Sequence, residues 1–236
     1  KLQPLNFTPD PLIFRGKIDG TVSNITTDNM AANVLITKAL VVSGTNRLPL
    51  DTVQLISGRN DTANYIQLRS DIANANITGQ YRLAELGSII QNTIQPYFAV
   101  TPSSQAPNLY PYDFRFTADV VYTPILSSFF PGLTTMEPVH AEGSFASGTG
   151  LNATVTNPYI LINGNAIHNL DLKAFTSDSG LQIRGNIARM TSGNSWDVYN
   201  ARINASALRN NINFAIGIDD KNAKNKYFLS GLVTQP

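Results

Sequence analysis

The sequence has no cysteine. That absence removes disulfides, thiolate nucleophiles, zinc fingers and iron–sulfur clusters together. Charge is scarce as well: Asp, Glu, Lys and Arg make up 14% of the 236 residues, well under the ~25% of ordinary soluble domains. The 17 basic and 16 acidic residues nearly cancel, which leaves no basic stripe for nucleic acid. No apolar run approaches the ~18 residues of a membrane-crossing helix. His140 and His168 are the only imidazoles. The chain lacks G-x-S-x-G, H-E-x-x-H, a Walker loop and G-x-G-x-x-G. These gaps argue against an enzyme and imply no cofactor and no metal. The chain starts at Lys1 without a signal-like segment, which reads as a piece of a longer protein whose membrane anchor lies elsewhere.

In place of charge there are 25 Asn and 21 Thr, residues that favour turns and strands respectively. Period-2 alternation runs through the chain. From Ala73 to Leu83 the odd positions are apolar or small and the even ones polar, as in a strand with one dry and one wet face. Tyr65 to Ile72 alternates in the opposite phase, so a bulge or tight turn is expected near Ile72 and Ala73. The same alternation recurs at Phe114–Val120, Leu170–Ala174, Leu181–Ile187, Ile212–Ile218 and Tyr227–Val233. Ser43-Gly44-Thr45-Asn46 and Asn163-Gly164-Asn165 sit where hairpin turns belong. The expectation is a mainly β protein, an antiparallel meander of at least ten short strands.

Leu83, Leu86, Ile90, Ile94 and Tyr97 recur at helical spacing, predicting an amphipathic helix over 84–95 that stops at Pro96. Pro124 to Pro131 suits a further turn or two of helix. The chain therefore divides into a first β unit (1–83), a helical insert (84–133) holding a strand at 112–122, and a second β unit (134–236). Ile66 to Ile72 resembles Leu181 to Ile187, which suggests duplication of a strand-rich unit.

The polar residues yield little chemistry. His140 lies beside Glu142 and reads as a surface imidazole near a carboxylate. His168 falls in phase with Leu170 and Leu172, as a half-buried sheet residue. Asp71, Asp113, Asp119, Asp171 and Asp197 are spread singly with basic neighbours, as in cross-strand ion pairing. Asp219-Asp220-Lys221-Asn222 reads as a hairpin turn rather than a calcium loop. The apolar face is the richer feature: Ile66, Leu68, Ile77, Tyr81, Phe114, Phe116, Val120, Leu170, Leu172, Ile183, Ile187, Phe214, Ile216 and Leu229. Alternation alone fits either a closed core or an open trough.

The block Leu48-Pro49-Leu50-Asp51 followed by Ile66-Gln67-Leu68-Arg69-Ser70-Asp71-Ile72 and Ala73 to Tyr81 resembles a segment of the TamB-like translocation and assembly proteins of the AsmA-like superfamily. Leu181 to Ile187 and Gly217 to Lys221 are similar to it too. The resemblance implies a curved, taco-like half-pipe, or an elongated sheet, with an apolar concave face and one or two short inserted helices. It implies phospholipid acyl chains as partners, those apolar residues lining a groove, and an outer-membrane barrel assembly protein of the Omp85 type engaged through the parent chain. It also implies the periplasm of a Gram-negative bacterium, with the parent anchored in the inner membrane. A helix bearing Leu86, Ile90 and Ile94 would then plug the groove or gate it. The rival expectations are a scaffold segment that binds the assembly partner, and an extracellular glycan-binding or adhesin-like β module using Trp196. A transmembrane barrel is disfavoured, because short strands fall below the ~9–11 residues needed to span.

Overall fold

A computed structural model describes residues 12–23, 30–43, 46–94, 97, 109–124, 126–193 and 195–234. The first half contains β1 (Leu12–Ser23), β2 (Ala31–Ser43), β3 (Asn46–Arg59), β4 (Asn64–Ser70), β5 (Ala73–Gln80), β6 (Asp113–Val120) and β7 (Leu133–Met136). The second contains β8 (Val139–Ala146), β9 (Gly150–Ile162), β10 (Asn165–Ser177), β11 (Gly180–Ser192), β12 (Trp196–Leu208), β13 (Asn211–Asp219) and β14 (Asn225–Thr234). All fourteen join one antiparallel sheet in chain order, except that β8 follows β6 and β7 pairs with β9. Strands β7 and β8 share β9, one taking its second half and the other its first. Strands β1 and β14 do not meet, so the sheet is open.

The turns carry out what the sequence punctuates. Asn163 and Gly164, at φ 51° and 74°, close the β9–β10 hairpin, the paired left-handed geometry that Asn-Gly favours. The phase reversal at Ile72 is a turn and not a bulge: Ser70 Oγ accepts the Ala73 N–H at 3.1 Å. Ser43 pairs with Asn46 across the next expected turn, whose Gly44 and Thr45 lie outside the described residues. Asp220 accepts the Asn222 and Lys224 N–H groups at 2.8 and 3.1 Å, an ordinary hairpin turn.

One expectation is corrected. The strands are not short, since β3 has 14 residues and β9 to β12 have 13 each. Left-handed residues inside strands, Asn169 (φ 51°) and Asn200 (φ 46°), shift the alternation without ending the pairing. Strand length therefore gives no argument against a spanning barrel; the open topology is what distinguishes this sheet. Within the insert, β6 sits between β5 and β8 and carries the sheet through. Both expected helical stretches are present: the first begins as a 3-10 turn at Leu83–Glu85 and continues as α1 (Leu86–Ile94), and α2 spans Leu126–Phe129. Pro96 lies outside the described residues.

The last strand is an unusual edge. Tyr227, Phe228, Leu229 and Leu232 are 59%, 67%, 59% and 61% exposed. Because successive residues point to opposite faces, β14 is apolar on both. Unpaired edges of this kind template association. We expect concentration-dependent association in sedimentation experiments, suppressed by Phe228→Lys with Leu232→Lys. Equal association of that double variant would remove β14 as its cause.

Candidate functional site

The register aligns the apolar candidates into rows that cross the sheet. One row runs Val34, Leu55, Leu68, Ala75, Ala118, Ala141, Val155, Leu172, Gly185, Ile203, Ile216, Leu229, from β2 to β14. A second runs Ser57, Ile66, Ile77, Phe116, Gly143, Ala153, Ala174, Ile183, Ala205, Phe214, Gly231 along the same path. Directly opposed residues share a face. Phe114, Val120, Leu170 and Ile187 belong to that face by the same pairings. From β3 onwards the two rows contain no charged side chain. At ~4.8 Å per strand, the eleven steps from β2 to β14 make a path of about 53 Å.

Glycines smooth this face. A Cβ on Gly143 would lie 2.8 Å from Phe116 Cε1, on Gly185 2.7 Å from Leu172 Cδ2, and on Gly231 2.7 Å from Phe214 Cζ. Each large side chain therefore leans over a glycine of the next strand, filling the gap that the missing side chain leaves.

Burial separates the candidates into two groups. Tyr81, just past β5, leaves the rows and joins a core with Ile89, Phe114 and Phe145, against which Ile66, Ile77, Leu86, Phe116 and Leu151 pack. The Phe114 ring lies 5.4 Å from Tyr81 and 5.3 Å from Phe145. Burial pushes the Tyr81 phenol up to about 12. Ile183 and Leu229 remain 40% and 59% exposed. The helix is thus over part of the face, but the expected plug residue is wrong: Ile90 is 49% exposed, while Ile89 is fully buried. Leu86, Ile89 and Thr93 share the inward side at i, i+3 and i+7, a spacing as helical as the Leu86, Ile90, Ile94 stripe read from the sequence. Leu86 does pack on the core, and the Ile94 side chain lies outside the described residues.

The opposite face is polar. A groove of about 400 Å³ there is lined by Arg115, Thr117, Glu142, Ser144, Asn152 and Thr154, among others. His140 Nδ1 lies 2.7 Å from Asp119 across β6 and β8, with Glu142 at 3.9 Å. The Asp119 hydrogen bond raises the His140 pKa, and both carboxylates add to it. His168 is not in phase with Leu170, because Asn169 intervenes; its ring meets Tyr159 at 5.1 Å. Among the five aspartates expected in ion pairs, Asp197 holds Arg189 at 2.8–2.9 Å and Asp119 holds His140. Asp71 instead accepts the Asp51 N–H. Asp113 faces Gln80 and Ala146, and Asp171 faces Thr156 and Asn186.

No family model, curated protein or solved structure matches the chain.

Two residues escape a reading of the sequence. Ile89 is hidden behind Ile90 in an Ile-Ile pair. Asp219 looks like a turn residue, yet it ends β13, is 5% exposed and pairs with both terminal nitrogens of Arg202. That pairing holds the Asp219 carboxyl below the usual carboxylate range. A depressed folded pKa contributes stability above the unfolded value of ~3.9, lost as pH falls through the folded value. Urea unfolding between pH 7 and pH 2 should therefore show an acid decline that Asp219→Asn reduces. An unchanged decline would assign it to other carboxylates.

Proposed function

We propose that this chain is a section of a periplasmic bridge that conducts phospholipid, its acyl chains lying along the apolar face. The observation that supports this best is the pair of rows continuous from strand to strand and free of charge after β2. Burying acyl chains there gains ~0.8 kcal/mol per CH₂. Similar gains at each strand, over a surface levelled by the leaning side chains, favour sliding over trapping. The headgroup stays in water beyond the sheet. The resemblance to TamB-like proteins supports a parent chain anchored in the inner membrane of a Gram-negative bacterium. It also supports contact with an Omp85-type barrel protein through other parts of that parent.

Photocrosslinking tests the reading face by face. Benzoylphenylalanine at Leu172 or Ile203 should yield phospholipid adducts in cells, and at Lys173 or Asn204 should not. Equal labelling of both faces, or none on the apolar one, would refute it. A second reading, a scaffold that adds a partner's strand, draws on the exposed β14 edge. It requires β14 to crosslink to protein while the rows stay free of lipid.

A further inference from the structure

Helix α1 occupies part of the surface that the proposed lipid path needs. Its Ile89 is buried among Tyr81, Phe114 and Phe145, and Ile66, Ile77 and Phe116 close around that cluster. An acyl chain and Ile89 cannot both cover those side chains.

The docked helix is also poorly satisfied. The Tyr81 hydroxyl and Asn92 Nδ2 are both buried without a hydrogen-bond partner. A buried polar group left unpaired is penalised, whereas water satisfies it as soon as the cover lifts. With nine residues, α1 is too short to persist alone in water, so it depends on its contact with the sheet. Thr93 does not tie it down, because its hydroxyl donates back to the Ile89 carbonyl within the helix at 2.7 Å. The two ends are held separately. Glu85 accepts the Tyr110 N–H at 3.3 Å, and the Tyr97 carbonyl accepts the Asn210 N–H at 3.1 Å. Such a segment can lift in the middle and return to the same place.

From this competition for one surface we infer that α1 is a lid displaced by the acyl chain itself. It covers the path when empty and yields when a lipid arrives. The inference rests on the reading of the apolar face as a lipid path and names the regulation of that path.

Hydrogen exchange of residues 86–94, measured with and without a short-chain phosphatidylglycerol below its micelle concentration, tests it. In the wild type, lipid should speed exchange at least tenfold. Ile89→Ala should speed exchange without lipid and raise lipid retention several-fold. Tyr81→Phe keeps the ring and removes the unpaired hydroxyl; it should slow exchange and lower retention, and it serves should Ile89→Ala fail to fold. Exchange that ignores lipid, while Leu172→Asp still abolishes binding, would overturn the lid and leave the lipid path standing. Absence of lipid binding in the wild type and in Ile89→Ala would overturn both.

Discussion

Leu172→Asp is expected to remove bound phospholipid from a protein that remains folded. Leu172 lies mid-row between Val155 and Gly185, is half-buried, and lies outside the cluster that α1 covers among the described residues. A carboxylate there keeps enough water for the sheet to form. An acyl chain crossing it would have to strip that water, and burying an unpaired charge costs far more than the chain gains per methylene. Because the path is a single file of strands, one charge interrupts it. Lys173→Asp, on the opposite face of the same strand, is the control. Phospholipid content after purification should fall at least tenfold in the first variant and stay unchanged in the second. Equal content in both would mean that the rows are not where lipid lies.

Phe114→Ala should bring the largest loss of stability, about 3–5 kcal/mol, as for other large aromatic deletions in cores. Phe114 is 2% exposed and contacts the rings of Tyr81, Tyr112 and Phe145. It is the centre of the buried cluster that α1 covers among the described residues. Ile183→Ala, on the same face but 40% exposed, should cost much less. Urea unfolding compares the two. Similar losses would mean that the helix-covered cluster is no more a core than the open face.

The sheet was legible because its physics is local. Alternation assigns faces from the sequence alone, and hairpin turns reset the phase where Asn, Gly and Asp stand. Thus Leu68, Phe116, Leu172 and Ile216 can be placed on one face before any coordinates are known. What alternation cannot express is a left-handed residue inside a strand. Asn169 and Asn200 therefore make their strands look shorter than they are, and Asn169 separates the phase of His168 from that of Leu170. Nor does it say what covers a face. Leu86 fits a stripe with either Ile89 or Ile90, and only packing against Tyr81, Phe114 and Phe145 selects Ile89. The partner of Asp219 depends on a register shift between Tyr199 and Arg202. Both are tertiary facts with no local signature.

The proposed function turns on whether lipid occupies the apolar rows. Native mass spectrometry with lipid extraction, on this chain purified from a Gram-negative periplasm, answers that. Phospholipid retained by the wild type and lost in Leu172→Asp, with both folded, is expected. A folded wild-type protein that carries no lipid would contradict it.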